Sequence, residues 1–186
     1  MTCGKLSRVI TVVALSAAAL MAFPAAASAE PGTGAVQEQG YVVECSGAGD
    51  GYTATVTLYE NSLFGDEASV LIESADSTLQ GATADGPFLT DGTIDGVVVP
   101  LMDANTEESA GSATVTGGSY TVSGEPTRYR EVINEGEAIV IVVGTQTPLT
   151  VEGLTLEYAG TTTALECDTA FAFDYIRIVR RIGTPG

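Results

Sequence analysis

The chain has 186 residues, of which 24 are acidic and seven are lysine or arginine, and it contains no histidine. The formal net charge of −17 argues against nucleic acid as a partner, because binding phosphates requires a basic surface, and it disfavours contact with anionic membranes. Because histidine is absent, nucleophiles that depend on a histidine base are excluded too.

The first 29 residues have the pattern of a secretory signal peptide. Lys5 and Arg8 form a short positive segment, an apolar run follows over residues 9–22, and small residues precede a cleavage point after Ala29. The apolar run is shorter than the roughly 20 residues that a membrane-spanning helix needs. We therefore predict a secreted, extracellular protein without membrane insertion. The alanine-rich signal and the lack of later lysines are typical of high-GC bacterial secreted proteins.

The remaining chain predicts one domain. Residues 30–39 are expected to form a flexible mature N-terminus, residues 40–182 a single β-sandwich domain, and residues 183–186 a short tail. This mature part carries five arginines and no lysine, so Schiff-base chemistry and Ser-Lys dyads are excluded. We interpret the arginines as internal charge partners of carboxylates rather than as an anion-binding site.

Two cysteines, Cys45 and Cys167, remain once Cys3 leaves with the signal peptide. In an oxidising compartment they permit a single disulfide, and their strand parity points both side chains to the buried side. Closing a loop of about 120 residues stabilises the fold by about 5 kcal/mol in the chain-entropy model. Both thiols are then consumed, so no catalytic cysteine is predicted.

Most of the mature chain alternates as half-buried β-strands do. Residues 52–59 place alanine, valine and leucine on one side and threonines on the other. Residues 112–116 and 119–123, separated by Gly117-Gly118, predict a tight hairpin that pairs Val115 with Tyr120.

Two further hairpins are predicted, one between residues 128–133 and 137–143, the other between residues 149–158 and 161–167. The last strand, over residues 170–181, is apolar on both faces through Ile178, which favours a central position between covering layers. These patterns predict an all-β fold: an antiparallel β-sandwich of about eight to ten strands with one disulfide, with a closed β-barrel as the alternative.

One segment partly resembles a calcium loop. Asp91, Thr93 and Asp95 place oxygen atoms at alternate positions before Gly96, but Met102 stands where a bidentate glutamate is needed. We interpret the segment as two turns that flank a short strand. No phosphate-binding or dinucleotide motif occurs, and no metal or cofactor is predicted.

The function that these absences favour is a non-catalytic extracellular protein, structural or binding, with an unknown ligand or surface as its partner. Threonine and serine faces over residues 53–57 and 112–123 are interpreted as solvent-facing strand residues. The alternative is a carboxylate-dependent hydrolase, either a glycosidase or an acid peptidase. A cleft lined by aromatic rings, with two carboxyl groups about 5–10 Å apart, would favour that enzyme, but no catalytic residue stands out.

Overall fold

The computed structural model describes residues 34–136 and 138–181, which form fourteen β-strands and no helix. Consequently, no described helix is long and apolar enough to cross a membrane. The predicted signal peptide lies outside the described residues. The strands are β1 (Ala35–Gly49), β2 (Tyr52–Asn61), β3 (Gly65–Ser74), β4 (Thr78–Thr83), β5 (Leu89–Thr90), β6 (Thr93–Ile94), β7 (Val97–Asp103), β8 (Ser109–Thr116), β9 (Ser119–Val122), β10 (Thr127–Asn134), β11 (Ala138–Glu152), β12 (Thr155–Tyr158), β13 (Thr161–Ala164) and β14 (Glu166–Arg181).

All strand pairs are antiparallel, and the order is β13-β12-β8-β7-β4-β3-β2-β1-β14-β11-β9-β6-β5, with β10 paired to β11. The predicted all-β, antiparallel class is therefore confirmed, while the strand count exceeds the eight to ten expected. The main sheet curls until β13 lies close to β1: a side chain at Gly47 would overlap the backbone of Ala164. No ladder joins these two strands in the described chain, so the sheet is not closed into a barrel.

The main hydrophobic core lies between this sheet and a short second sheet. The second sheet consists of β5, β6, β9 and the end of β11, and it supplies Leu89, Ile94 and Val151 to the core. On β2 the predicted alternation is confirmed, since Ala54, Val56 and Leu58 are buried there. Burial of each large aliphatic side chain contributes about 1.5–3 kcal/mol to stability.

Cys45 and Cys167 form the predicted disulfide, with a sequence separation of 122. They are register partners on the neighbouring strands β1 and β14, and their Cα atoms are 3.9 Å apart. The disulfide therefore lies within one sheet. Both side chains contact the main core, as their parity predicted.

The predicted Gly117-Gly118 hairpin is wrong. Strand β8 has neighbours on both sides, because Val115 pairs with residues of β7 and β12. No free edge is left for β9, whose Tyr120 pairs with Val151 of β11 instead. The two glycines, with φ of +66° and +123°, turn the chain from one sheet into the other. Gly-Gly correctly marked a turn but did not determine its pairing.

The other two hairpins are confirmed, as β10 with β11 and as β12 with β13. In the latter, residues 149–152 and 166–167 belong to β11 and β14 rather than to the hairpin itself. Residues 35–39, which we expected to be flexible, form the start of β1 and pair with β14. Strand β14 lies between β1 and β11, the central position that its apolar pattern predicted.

The disulfide gives the first testable prediction. Cys45→Ser should lower the free energy of unfolding by a few kcal/mol, because the unfolded chain regains the entropy of a long open loop. Denaturant unfolding measures this loss, with Ser46→Ala at the exposed neighbouring position as the control. An unchanged midpoint, or free thiols at both cysteines in freshly prepared protein, would contradict the prediction.

Candidate functional site

Beyond Gly40 the sheet narrows to four strands, because β2 ends where Asn61 pairs with Gly40. The start of β1, the second half of β14, the first half of β11 and all of β10 continue past this point. We call this four-stranded region the extension. One of its faces continues the side of the sheet that covers the main core, and the other face carries a second, smaller core.

The first of these faces is apolar and has no described covering layer. Its six β-branched side chains occupy adjacent register positions on three strands and belong to neither core cluster. Val132 is 50% exposed and Ile176 is 45% exposed. We name this set the apolar face: Val132, Ile139, Ile141, Val143, Ile176 and Ile178. The prediction that β14 is covered on both sides is therefore wrong for this half of the strand.

Arginines border the apolar face. Arg128 and Arg130 lie on β10 with the same parity as Val132, and Arg180 pairs with Ile139 at the far end. All three are exposed. We expected the arginines to be internal charge partners. In the described part of the chain only Arg177, on the opposite face, has an ion pair, a 3.7 Å contact with Glu135.

The opposite border of the apolar face is polar and anionic. Asp174 accepts hydrogen bonds from Gln37 Nε2 at 2.9 Å and from Gln39 Nε2 at 3.0 Å. These two hydrogen bonds hold the pKa of the Asp174 carboxyl below its usual value. Asp174 therefore keeps its negative charge at neutral pH, next to Ile176 along β14.

An open pocket of about 460 Å³ follows this border where the extension meets the main core. Its lining includes Tyr41, Phe173 and the carboxylates Glu60 and Asp66. Glu60 of β2 and Asp66 of β3 are direct register partners, a geometry that puts Cβ atoms about 4.5–5.5 Å apart. The pocket therefore has several features of the carboxylate cleft that would favour a hydrolase.

Glu60, however, has a structural role. It is only 7% exposed, and its Oε1 accepts hydrogen bonds from the backbone N–H groups of Phe88 and, at 2.6 Å, of Leu89. Phe88 and Leu89 are buried in the main core, so Glu60 fixes the segment that enters the second sheet. Burial raises the pKa of the Glu60 carboxyl, and the charge of Asp66 adds to the rise, while the two N–H groups oppose it.

The second face of the extension carries a row of stacked aromatic rings. Tyr129 stacks on Tyr175 at 4.9 Å, Tyr175 on Phe173 at 4.8 Å, and Phe173 on Tyr59 at 6.4 Å. Rings from β10 and β14 meet across β11 because Gly144, opposite Tyr175, has no side chain. A side chain there would overlap the backbone of Asp174. No local sequence pattern predicts that these tyrosines are grouped, since the grouping depends on which strands pair.

This aromatic row is a core rather than a sugar-binding platform. Phe173 and Tyr175 are 6% and 9% exposed, so their ring faces are covered by neighbouring rings and cannot stack on a ligand. The hydroxyl of Tyr129 donates a 2.6 Å hydrogen bond to Glu131. This bond, together with partial burial of the side chain and the charge of Glu131, raises the pKa of Tyr129 to about 12.

The serine and threonine residues over 112–123 are divided between two sheets, because β8 pairs in the main sheet and β9 in the second sheet.

The partial calcium motif lies in the short hairpin of β5 and β6. Asp91 and Gly92 have φ of 49° and 84° and form the turn between paired residues Thr90 and Thr93, as the predicted turn chemistry requires. Thr93 Oγ1 donates a 2.6 Å hydrogen bond to the carbonyl of Thr90. Among the described residues, no group of three His, Cys, Asp or Glu side chains is placed to hold a metal ion.

No protein-family model, curated protein or solved structure matches this chain. The disulfide is compatible with an extracellular location.

The raised pKa of Glu60 predicts a specific pH dependence. A carboxyl whose folded pKa exceeds its unfolded pKa stabilises the fold at low pH, and this contribution is lost as the pH rises through the folded value. Glu60→Gln should therefore raise the melting temperature relative to wild type more at about pH 7 than at about pH 4. Exposed Glu73 on β3 provides the control Glu73→Gln. A difference that is constant with pH, or larger in acid, would contradict the role of burial.

Calcium binding is tested by thermal unfolding with millimolar calcium and with excess chelator. If Asp91 and Asp95 serve only the turns, the melting temperature should change little. A ligand at 100 times its dissociation constant stabilises a protein by about 2.7 kcal/mol, which such a measurement detects readily. A shift of that size, abolished by Asp95→Asn, would establish a metal site instead.

Proposed function

We propose that this chain is a secreted, non-catalytic module, bacterial in origin, that acts by contact through the apolar face of its extension. The observation that carries the proposal is the row of β-branched side chains on β10, β11 and β14, bordered by exposed arginines. Contiguous exposed apolar surface with a polar border is characteristic of interaction sites.

The chemistry of the chain supports contact rather than catalysis. No side chain that normally titrates near neutral pH is available, because histidine is absent and both mature cysteines are oxidised. The apolar face itself contains no nucleophile. Without histidine or a free cysteine, general acid–base chemistry near neutral pH requires a carboxylate whose pKa is raised.

A carboxylate-dependent hydrolase is the second candidate, and the pocket at Glu60 and Asp66 favours it. A buried carboxyl with a raised pKa beside a second carboxylate resembles the acid and base pair of a glycosidase. Against this function, Glu60 Oε1 already accepts hydrogen bonds from two backbone N–H groups. These donors stabilise the ionised carboxylate, whereas a general acid must be protonated. We therefore assign Glu60 to the folding of residues 88–89.

An activity screen distinguishes the two candidates. Purified protein is incubated with polysaccharides, peptides and esters between about pH 3 and pH 8, in parallel with Glu60→Gln and Asp66→Asn. We expect no turnover by any of the three proteins. Turnover by wild type that either substitution abolishes would replace the module with the hydrolase. Turnover that survives both substitutions would overturn the non-catalytic function only if another Asp→Asn or Glu→Gln change abolishes it, and turnover that survives every such change comes from a contaminating enzyme.

A further inference from the structure

We propose that the apolar face binds a second copy of this chain, so that two extensions pack face to face about a twofold axis parallel to their strands. This inference rests on the proposed function, because it names the partner of the same surface. Two sheets packed in this way lie about 10 Å apart with their strands nearly aligned, as in an ordinary β-sandwich.

The register makes the surface complementary to itself. Ile141 lies beside Ile178, and Val143 lies beside Ile176, on the neighbouring strands β11 and β14. A twofold axis midway between these strands places β11 of one copy over β14 of its partner. Each isoleucine or valine of this central block then meets a β-branched side chain of the other copy.

Charge favours the same arrangement. The cationic border, with Arg128 and Arg130, lies on β10, and Asp174 with its two glutamines lies on the other side, along β14 and β1. The twofold rotation brings the arginines of each copy over the Asp174 side of the other. An anionic polymer would match the arginines but not Asp174, whereas a second copy matches both borders.

The extension is also the part of the described chain where two acidic proteins can approach most easily. It holds all five mature arginines against five acidic residues: the described Glu38, Glu131, Glu135 and Asp174, and Glu137, which lies between β10 and β11 in the sequence. The remaining acidic residues lie mainly on the other strands and loops.

The area that the proposed interface would bury is typical of a reversible dimer. Four strands about 4.8 Å apart, with four rows of same-face residues about 6.7 Å apart, cover roughly 500 Å² on each copy. The total of roughly 1,000 Å² is at the lower end of specific interfaces. We therefore expect association that depends on protein concentration rather than a permanent dimer.

Sedimentation equilibrium of the purified protein over a range of concentrations tests the proposal. Wild type should show a reversible monomer–dimer equilibrium, and Ile176→Asp and Val132→Asp should each weaken it about tenfold or more, because they bury a charge in the interface. Val98→Asp is the matched control, since Val98 is 57% exposed on the outer side of β7. Thermal unfolding of each variant verifies that it is folded.

The double variant Arg128→Glu/Arg130→Glu tests the orientation, since it places acidic side chains over the partner's Asp174. It should weaken the dimer by a similar factor. A wild-type monomer at every concentration, or a dimer that tolerates the Ile176 and Val132 substitutions, would overturn the second copy as partner. A dimer unaffected by the arginine substitutions would overturn the twofold arrangement. None of these results depends on the activity screen, so failure of the dimer and failure of the non-catalytic function are separable.

Discussion

The antiparallel pairing of β1 with β14 is the interaction on which the rest of this structure depends. It joins the two ends of the described chain in the middle of the sheet and is held by Cys45–Cys167. On one side, β2 begins the run of strands that encloses the main core, and on the other side, β11 begins the extension. Because this pair is central to both parts, its register sets where the core, the pocket and the apolar face lie.

The β1–β14 pair also explains why the two faces of the extension differ. Along β14, alternate residues face opposite sides, so the aromatic row covers one side while Ile176 and Ile178 remain on the other. Next to the main core the second sheet covers this latter side, but β5, β6 and β9 do not reach the extension. The second sheet therefore does not cover the extension. The hydrophobic face left uncovered there is the one for which a second copy supplies a matching layer.

Local sequence patterns predicted the strands, their buried sides and the disulfide. They did not predict which strands pair or which distant residues come into contact. The alternation over residues 52–59 identified β2 and its buried side, and the cysteine count identified the disulfide. The Gly117-Gly118 turn was recognised, but its pairing was wrong because β8 is already flanked on both sides. The role of Glu60 depends on residues 28 and 29 positions away, and no sequence pattern reports such contacts. The apolar pattern of β14 was predicted correctly. The exposure of Ile176 on its second half was not, because it depends on how far the second sheet extends.

Native-state hydrogen exchange tests the central place of the β1–β14 pair most directly. Amides around Val43 and Thr169 should exchange only when the whole protein unfolds, because neither the main core nor the extension persists without the β1–β14 pair. Amides of the edge strand β10 should exchange earlier, through local opening. Separation and exchange of β1 and β14 while the amides of β2, β3 and β7 stay protected would contradict the central place of this pair.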